Sequence, residues 1–390
     1  MLLRRLTFVL SLCMAFPALA GAQTRMFYRI SAGTNSAIVA WSRPNLLVWT
    51  NAAAVDRFNL EWAFDLSDFA NGDREAVAYG SVTDVTISVA APIPTTARPS
   101  RDILRLIPAG LFLMGNSDTN VNKPVESPVH EVAVGALYMD KYEVRKSLWD
   151  TVKSWAATNG YTDLAAGAGT DGTHPVQVLT WYDCVKWCNA RSEMDSLTPV
   201  YHTDAAKTNV YRTGTNVLDA SFVLWSANGY RLPTEAEWEK AARGGLVTNH
   251  YPWPSTSAAF TNDIDGSKAN YKGSGDPFET AATTDTDTTP VGYFNGGMAG
   301  PDMANGYGLY DMAGNVSEWC WDWYGTNYYA THPTNAWPAD PTGPTGGAQR
   351  VTRGCNWNNP VAALRCAARA GANPATGSGG YLGFRCVRGL

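Results

Sequence analysis

Thirty-six glycines and 22 prolines spread along a 390-residue chain leave little room for long regular elements, because proline removes a backbone donor and glycine weakens the interior of any helix or strand. A chain so interrupted needs large apolar side chains to organise its loops, and 15 tryptophans supply them. The expectation is a loop-rich α+β fold built around aromatics, with few long helices.

The first residues run Met1-Leu2-Leu3-Arg4-Arg5, then apolar from Leu6 to Ala18, then small to Ala22. That order of charge, short greasy core and small residues is the pattern of a cleavable export signal over residues 1–22. Cys13 follows Leu12 rather than a small residue, which favours simple cleavage over lipid attachment. No later stretch approaches the roughly 20 apolar residues of a membrane helix. A secreted, periplasmic or cell-surface location is therefore expected, with no transmembrane segment. Cleavage would delete two arginines and no acid, moving the formal charge from -5 to about -7 without leaving any basic block. Nucleic acid is an unsuitable partner for such a surface. Six cysteines would remain (Cys184, Cys188, Cys320, Cys355, Cys366 and Cys386), an even number in an oxidising compartment.

Between Arg25 and Ala90 short alternating runs at Met26–Ile30, Ala37–Trp41, Leu46–Thr50, Phe58–Phe64 and Asp84–Ala90 are separated by turn-forming residues. They predict a small β-sandwich accessory domain over residues 23–96. Pro92, Pro94 and Pro99 then mark a linker, placed at residues 97–106, before a large domain at 107–390. Three helices are expected in that domain. The first spans Lys146 to Asn159, with Leu148, Val152 and Trp155 on one face. The second follows a Thr180–Asp183 capping pair to about Ser192 and sets Cys184 and Cys188 one turn apart. The third starts at Thr234, with Glu237 placed to close a capping box.

Six segments from Ile107 onward carry a resemblance. They are Ile107-Pro108-Ala109-Gly110-Leu111-Phe112-Leu113-Met114-Gly115, Met139-Asp140-Lys141-Tyr142-Glu143-Val144, His174-Pro175-Val176, Gly229 to Glu239, Asn305 to Trp319, and Gly383-Phe384-Arg385-Cys386. In this order the chain resembles the formylglycine-generating-enzyme (sulfatase-modifying-factor) family over about 280 residues, which implies a compact mixed α/β domain akin to C-type lectins. The family's oxidases convert a sulfatase cysteine to formylglycine with molecular oxygen and two copper-binding cysteines. At the matching stretch this chain reads Gly354-Cys355-Asn356-Trp357-Asn358-Asn359-Pro360-Val361-Ala362-Ala363-Leu364-Arg365-Cys366, with no cysteine between Trp357 and Arg365. Soft thiolates are what Cu(I) selects, so copper is not expected, and Cys355, which replaces a family glycine, is left as a lone catalytic candidate. Asn356 stands where the family has an active-site serine.

The same resemblance implies a Cys188–Cys386 disulfide. Cys366 matches half of a second one, with Cys184 as a substitute partner; the alternative is that the remaining cysteines are buried thiols. It also implies structural calcium held by Asp311, Gly314, Val316 and Glu318, and a second site using Asn270 and Tyr271 with Asp276 or Asp285. A metal-free, hydrogen-bonded loop is the competing reading of those acids. The five histidines show no zinc spacing; His174-Pro175 reads as scaffold, and the absence of histidine from the accessory domain disfavours a sulfoxide-synthase role. Trp319, Trp321, Trp323 and Tyr324 could stack on sugars or form core.

The leading function is a secreted binding protein whose former active-site face, Cys355 to Tyr381 with Asn356, Trp357, Asn358 and Asn359 toward the ligand, recognises a protein, peptide or glycan. From Cys355 to Leu382 there is no Lys, Glu, Gln, Met or Asp, and the residue types resemble those of retroelement-diversified lectin-fold segments. The alternatives are an oxygen-dependent oxidase acting on exported sulfatases and an envelope protein docked through its accessory domain.

Overall fold

The computed structural model describes the backbone at 7–11, 27–32, 35–40, 46–50, 57–63 and 75–81, and backbone with side chains, in the main, over 104–116, 123–247, 249–254, 264–279, 288–297, 301–331, 339–376 and 380–390. The chain divides into two units, Met1–Asp102 and Ile103–Leu390.

In the first unit β1 (Thr7–Ser11) pairs antiparallel with β4 (Leu46–Thr50). Separately, β2 (Phe27–Ala32), β3 (Asn35–Ala40), β5 (Arg57–Ala63) and β6 (Glu75–Ser81) form one antiparallel sheet in the order β3-β2-β5-β6. Four of the five expected strands are met, and Glu75–Ser81, which also alternates, is an additional one. The expected strand Asp84–Ala90 lies outside the described residues. Among the described residues the unit holds one four-stranded sheet and one strand pair. Cleavage after Ala22 would remove β1 and leave the four-stranded sheet intact.

The second unit holds two small four-stranded sheets. The first runs β7 (Leu104–Ile107), β10 (Leu137–Asp140), β16 (Val387–Arg388), β11 (Tyr230–Arg231), all antiparallel, so the C-terminal strand lies at its centre. The second runs β14 (Ala370–Ala372), β13 (Arg350–Arg353), β12 (Ser317–Trp323), β15 (Leu382–Gly383), with β12 and β15 parallel. A hairpin joins β8 (Gly110–Met114) to β9 (His130–Val134). Every residue of β12 is buried, so Glu318 and Asp322, which alternate with Trp319, Trp321 and Trp323, are enclosed as fully as the tryptophans.

Three α-helices complete the described residues of this unit: α1 (Lys146–Ala157), α2 (Trp181–Met194) and α3 (Glu235–Arg243). From Trp181 to Ser192 all of α2 is buried, so it is a central helix rather than an amphipathic one. Trp149 of α1 stacks on Trp187 of α2 at 5.6 Å, and the Phe384 ring meets both edge-on. The α3 capping box forms as expected from sequence, with Thr234 Oγ1 accepting from Glu237 N and the Glu237 carboxylate accepting from Thr234 N. The helix ends at Gly244 in the left-handed region, φ 56°, where a Cβ would stand 2.7 Å from Gly306 N. Thr234→Ala should therefore cost about 1 kcal/mol, read as a lower urea midpoint at unchanged slope.

Candidate functional site

The face singled out by sequence begins where β13 ends. Gly354 and Cys355 both take positive φ, 81° and 58°, a turn that costs little for glycine and strains cysteine. The Cys355 Sγ donates to Ala363 O at 2.8 Å, and burial pushes its thiol up to about 11. That is the protonated, unreactive form at neutral pH. Beyond it the chain is fastened by arginines. Arg365 grips both oxygens of Glu126 at 2.6 and 2.8 Å, and Arg369 grips both oxygens of Glu235 at 2.6 Å. Arg353 pairs with Glu239 and donates to the carbonyls of Cys366 and Ala368 at 2.8 Å. Burial alone would push Glu239 up, but Arg243 and Arg353 override it and hold its carboxyl down at about 2.

The acids of the Thr234–Glu239 motif are thus counter-ions: Glu235 serves Arg369, Glu237 serves Arg231 at 2.6 Å, and Glu239 serves Arg243 and Arg353. Sequence reasoning missed Glu126, Arg365 and Arg369 as the anchors of this face. Nothing local marks them, although two of the three flank the alanine-rich stretch.

Among the four residues expected to face a ligand, two do not. Asn356 is buried and donates from Nδ2 to Ser317 Oγ at 2.9 Å. Trp357 is 7% exposed and meets the Tyr381 ring edge-on at 5.3 Å. Both belong to the support of the face. Asn358 and Asn359 are half-buried, and beyond them Pro360, Val361 and Ala362 are exposed. Asn358 Nδ2 donates to Tyr381 OH at 3.3 Å, and Asn359 O accepts from Lys272 N at 3.0 Å.

Among the described residues no second thiol lies within hydrogen-bond reach of Cys355 Sγ. Cys320 and Cys366 lie in the core between α3 and β12. Cys188 and Cys386 face each other with Sγ atoms 3.6 Å apart and no bond closed. Cys184 stands beside Cys386 and Asp183, whereas Cys366 has Arg243, Glu239 and Arg353 as neighbours. The structure does not bring Cys184 and Cys366 together, because α2 presents Cys184 to the C-terminal strand and not to α3.

The calcium set is divided in the same way. Glu318 is fully buried; Arg385 donates to both its oxygens at 2.7 to 2.9 Å and Trp238 Nε1 donates to Oε2 at 2.7 Å. With its acceptors so occupied, Glu318 does not fit the role of metal ligand. Asp311, at φ 57°, accepts from Gly292 N at 2.6 Å. Loss of water around its carboxyl raises it to about 6. Gly314 N donates to Gly354 O, and the would-be second-site residue Asn270 accepts at its carbonyl from Asn315 N at 3.0 Å. Val316 N and Asn315 Nδ2 both donate to Glu143, at 3.1 and 2.6 Å. Burial, then Asp311 and Glu318, push the Glu143 carboxyl well up. Glu143 sits in one of the quoted motifs yet carried no role in the sequence reading. Tyr271 is half-buried beside Trp253, Asp276 accepts from Ser274 Oγ at 2.6 Å, and Asp285 lies outside the described residues. Among the described residues no group of three or more His, Cys, Asp or Glu is spaced to hold a metal ion.

Trp319, Trp321 and Trp323 are core. The Arg350 guanidinium lies 3.9 Å from the Trp181 ring and 3.6 Å from that of Trp323, so the aromatic surface that could have met a sugar encloses an internal cation. His174 is buried and its Nδ1 lies 2.9 Å from Thr288 Oγ1, a scaffold position. A small pocket of about 10 Å³, room for about one water, is lined by Trp253, Lys268, Phe294, Met303, Tyr310 and Asp311 among others. No helix among the described residues is long and apolar enough to cross a membrane.

A family model described as a sulfatase-modifying factor enzyme 1-like domain matches residues 90–390. The formylglycine-generating enzyme of Bos taurus is 30% identical over 336 residues, 80% of this chain and 79% of that protein. The formylglycine-generating enzyme of Thermomonospora curvata is 31% identical over 313 residues, 72% of this chain and 91% of that protein. Among solved structures, Treponema denticola variable protein 1 superposes with a TM-score of 0.53 at 27% identity, covering 74% of this chain and 95% of that one.

Proposed function

This chain belongs to the sulfatase-modifying factor family, and from that premise we propose that it is an exported binding protein of the family and not a copper-dependent formylglycine-forming oxidase. The observation that carries the reading is the state of Cys355. It is a single thiol, bonded to Ala363 O and raised to about 11 by burial, and the other cysteines among the described residues are placed in the core or beside α2. A Cu(I) site needs at least two soft ligands held together; on this face Cys355 is single, and the close pair Cys188–Cys386 is fully buried away from it and is read as a disulfide, so the Cys355 face does not fit copper.

The binding face is Asn358 to Ala363 with Ala370 to Thr376. The split between fixed and exposed positions supports it: Leu364, Arg365, Cys366 and Arg369 are buried in core or ion pairs, whereas Pro360, Val361, Ala362, Asn373, Ala375 and Thr376 are exposed. Residues on this face can change without touching the framework, which is the property a diversified recognition surface requires. The likeness to a Treponema variable protein favours that form of binding. A nearby degenerate copy of the coding stretch for residues 355–382, differing at adenines, would be its genetic counterpart, and a genome without one would count against this form of binding. Export rests on the Met1–Ala22 pattern, and in an oxidising compartment Cys188 and Cys386 close to a disulfide from their 3.6 Å approach.

The test is to load the mature protein with Cu(I) anaerobically and assay oxygen-dependent conversion of a Cys-x-Pro-x-Arg peptide. Neither stoichiometric copper nor turnover is expected. Turnover with bound copper would return the chain to the oxidases.

A further inference from the structure

An antiparallel strand turns the N–H and C=O of successive residues to alternate sides, so a strand at the end of a sheet directs part of its backbone away from every neighbour. The sheet β14-β13-β12-β15 ends at β15 on one side, and that edge is closed: Leu382 O accepts from Leu179 N at 3.4 Å, and a Cβ on Gly383 would stand 2.5 Å from Val176 O. On the other side it ends at β14. Ala370, Gly371 and Ala372 pair with Thr352, Val351 and Arg350 of β13. Among the described residues no hydrogen bond reaches the backbone groups that β14 turns away from β13. Ala370 is exposed, and Gly371 and Ala372 are half-buried.

Proteins shield such an edge with lysine, proline, a bulge or shortness. Only shortness applies here, since β14 is Ala-Gly-Ala over three residues in unbroken register. Its two ends are fixed. Arg369, just before it, grips Glu235 and donates to Gly325 O at 2.9 Å; Pro374 O, just after it, accepts from Trp181 N at 3.1 Å. One face is closed as well, because the Tyr324 ring lies 2.7 Å from where a Gly371 Cβ would stand. The edge itself stays open, and it runs directly into the exposed side chains of Asn373, Ala375 and Thr376.

We propose that β14 takes a strand from its partner: the ligand of the 355–382 face is a protein or peptide segment in extended conformation, paired to Ala370–Ala372 through backbone hydrogen bonds. Backbone pairing does not depend on the partner's sequence and leaves selection to the side chains around the edge. That division suits a face whose exposed residues can change without touching the framework. An edge already held at both ends costs little to order when the partner arrives. A sugar has no row of alternating N–H and C=O at strand spacing, so this edge selects peptide over glycan. Strand pairing deepens the binding-protein reading and rests on it.

Both charged residues between Cys355 and Leu382, Arg365 and Arg369, are spent on Glu126 and Glu235, so the probe is neutral: the blocked pentapeptide acetyl-Thr-Val-Thr-Val-Thr-amide. It is titrated into the isotope-labelled mature full chain and followed through the backbone amide shifts. Saturable shifts centred on residues 369–373 are expected, with a Kd of about 1 mM. The same peptide N-methylated at every residue keeps the side chains, loses the donors of both its edges, and should bind at least tenfold more weakly. No saturation below about 10 mM, equal binding of the N-methylated peptide, or shifts centred away from β14 would each overturn the proposal. So would maltotriose shifting the same amides where the peptide does not. Concentration-dependent shifts of those amides without any peptide would assign the edge to a second copy of this chain and overturn it too. Copper turnover in the separate assay would instead sink the binding-protein reading and leave the strand site standing.

Discussion

Glu318→Ala is expected to remove about 3–5 kcal/mol of unfolding free energy, and to do so equally in chelator and in calcium. The carboxylate is fully buried and is the counter-ion of Arg385, which is also fully buried. Deleting it strands a guanidinium whose other N–H groups reach only the carbonyls of Asp140, Lys141, Tyr310 and Asp311, at 3.0 to 3.4 Å. It also orphans the Trp238 indole N–H, now 2.7 Å from Glu318 Oε2. Urea midpoints with EDTA and with millimolar calcium decide the matter. A loss confined to calcium would make Glu318 a metal ligand, as its place in the Asp311–Glu318 motif implies, and would reduce the arginine pair to a secondary contact.

That contest between motif and geometry shows where sequence stops being legible. Helix α3 could be read residue by residue because its determinants are local: Thr234 and Glu237 cap each other across three positions, and Gly244 supplies the left-handed stop. The ion pairs could not, since Glu318 and Arg385 are 67 positions apart and Glu126 and Arg365 are 239 apart. Glu318 sits in a motif and invites a functional reading, while Glu126 lies outside all six motifs and nothing near it in sequence announces Arg365. Asn356 misled in the opposite direction: its place at the family's active-site serine suggested a ligand-facing role, but Ser317 Oγ satisfies it inside the fold. For Trp319, Trp321 and Trp323, composition allowed core or sugar platform, and only the position of β12, with Trp321 N on Pro233 O and the Trp181 indole on Cys320 O, selects core. The domain family itself was legible, because six motifs in order constrain a fold more than any one of them constrains a site.

The second large effect concerns pH. Asp322 lies in β12 at 3% exposure and accepts from Glu235 N at 2.7 Å. Burial first, and then the neighbouring Glu235 carboxylate, push its carboxyl up to about 8. An unfolded aspartate titrates near about 4. Between those values the folded chain holds a proton that the unfolded chain has released. The Asp322 contribution is therefore complete below the unfolded pKa and declines as pH rises toward the folded one, by about 1.4 kcal/mol per pH unit. Asp322→Asn keeps an acceptor for the Glu235 N–H and removes the titration. Relative to wild type it should gain about 4 kcal/mol of stability between pH 5 and pH 8, measured as the difference in urea unfolding at the two pH values. Other titrating groups are common to both proteins and cancel in that difference. Parallel profiles would mean that Asp322 is ionised in the fold, with Arg350 as the cation that sustains it. Arg350, enclosed by Trp181 and Trp323 and lowered by burial to about 9, would then be a true ion-pair partner, and Arg350→Met would be the substitution that destabilises most at neutral pH.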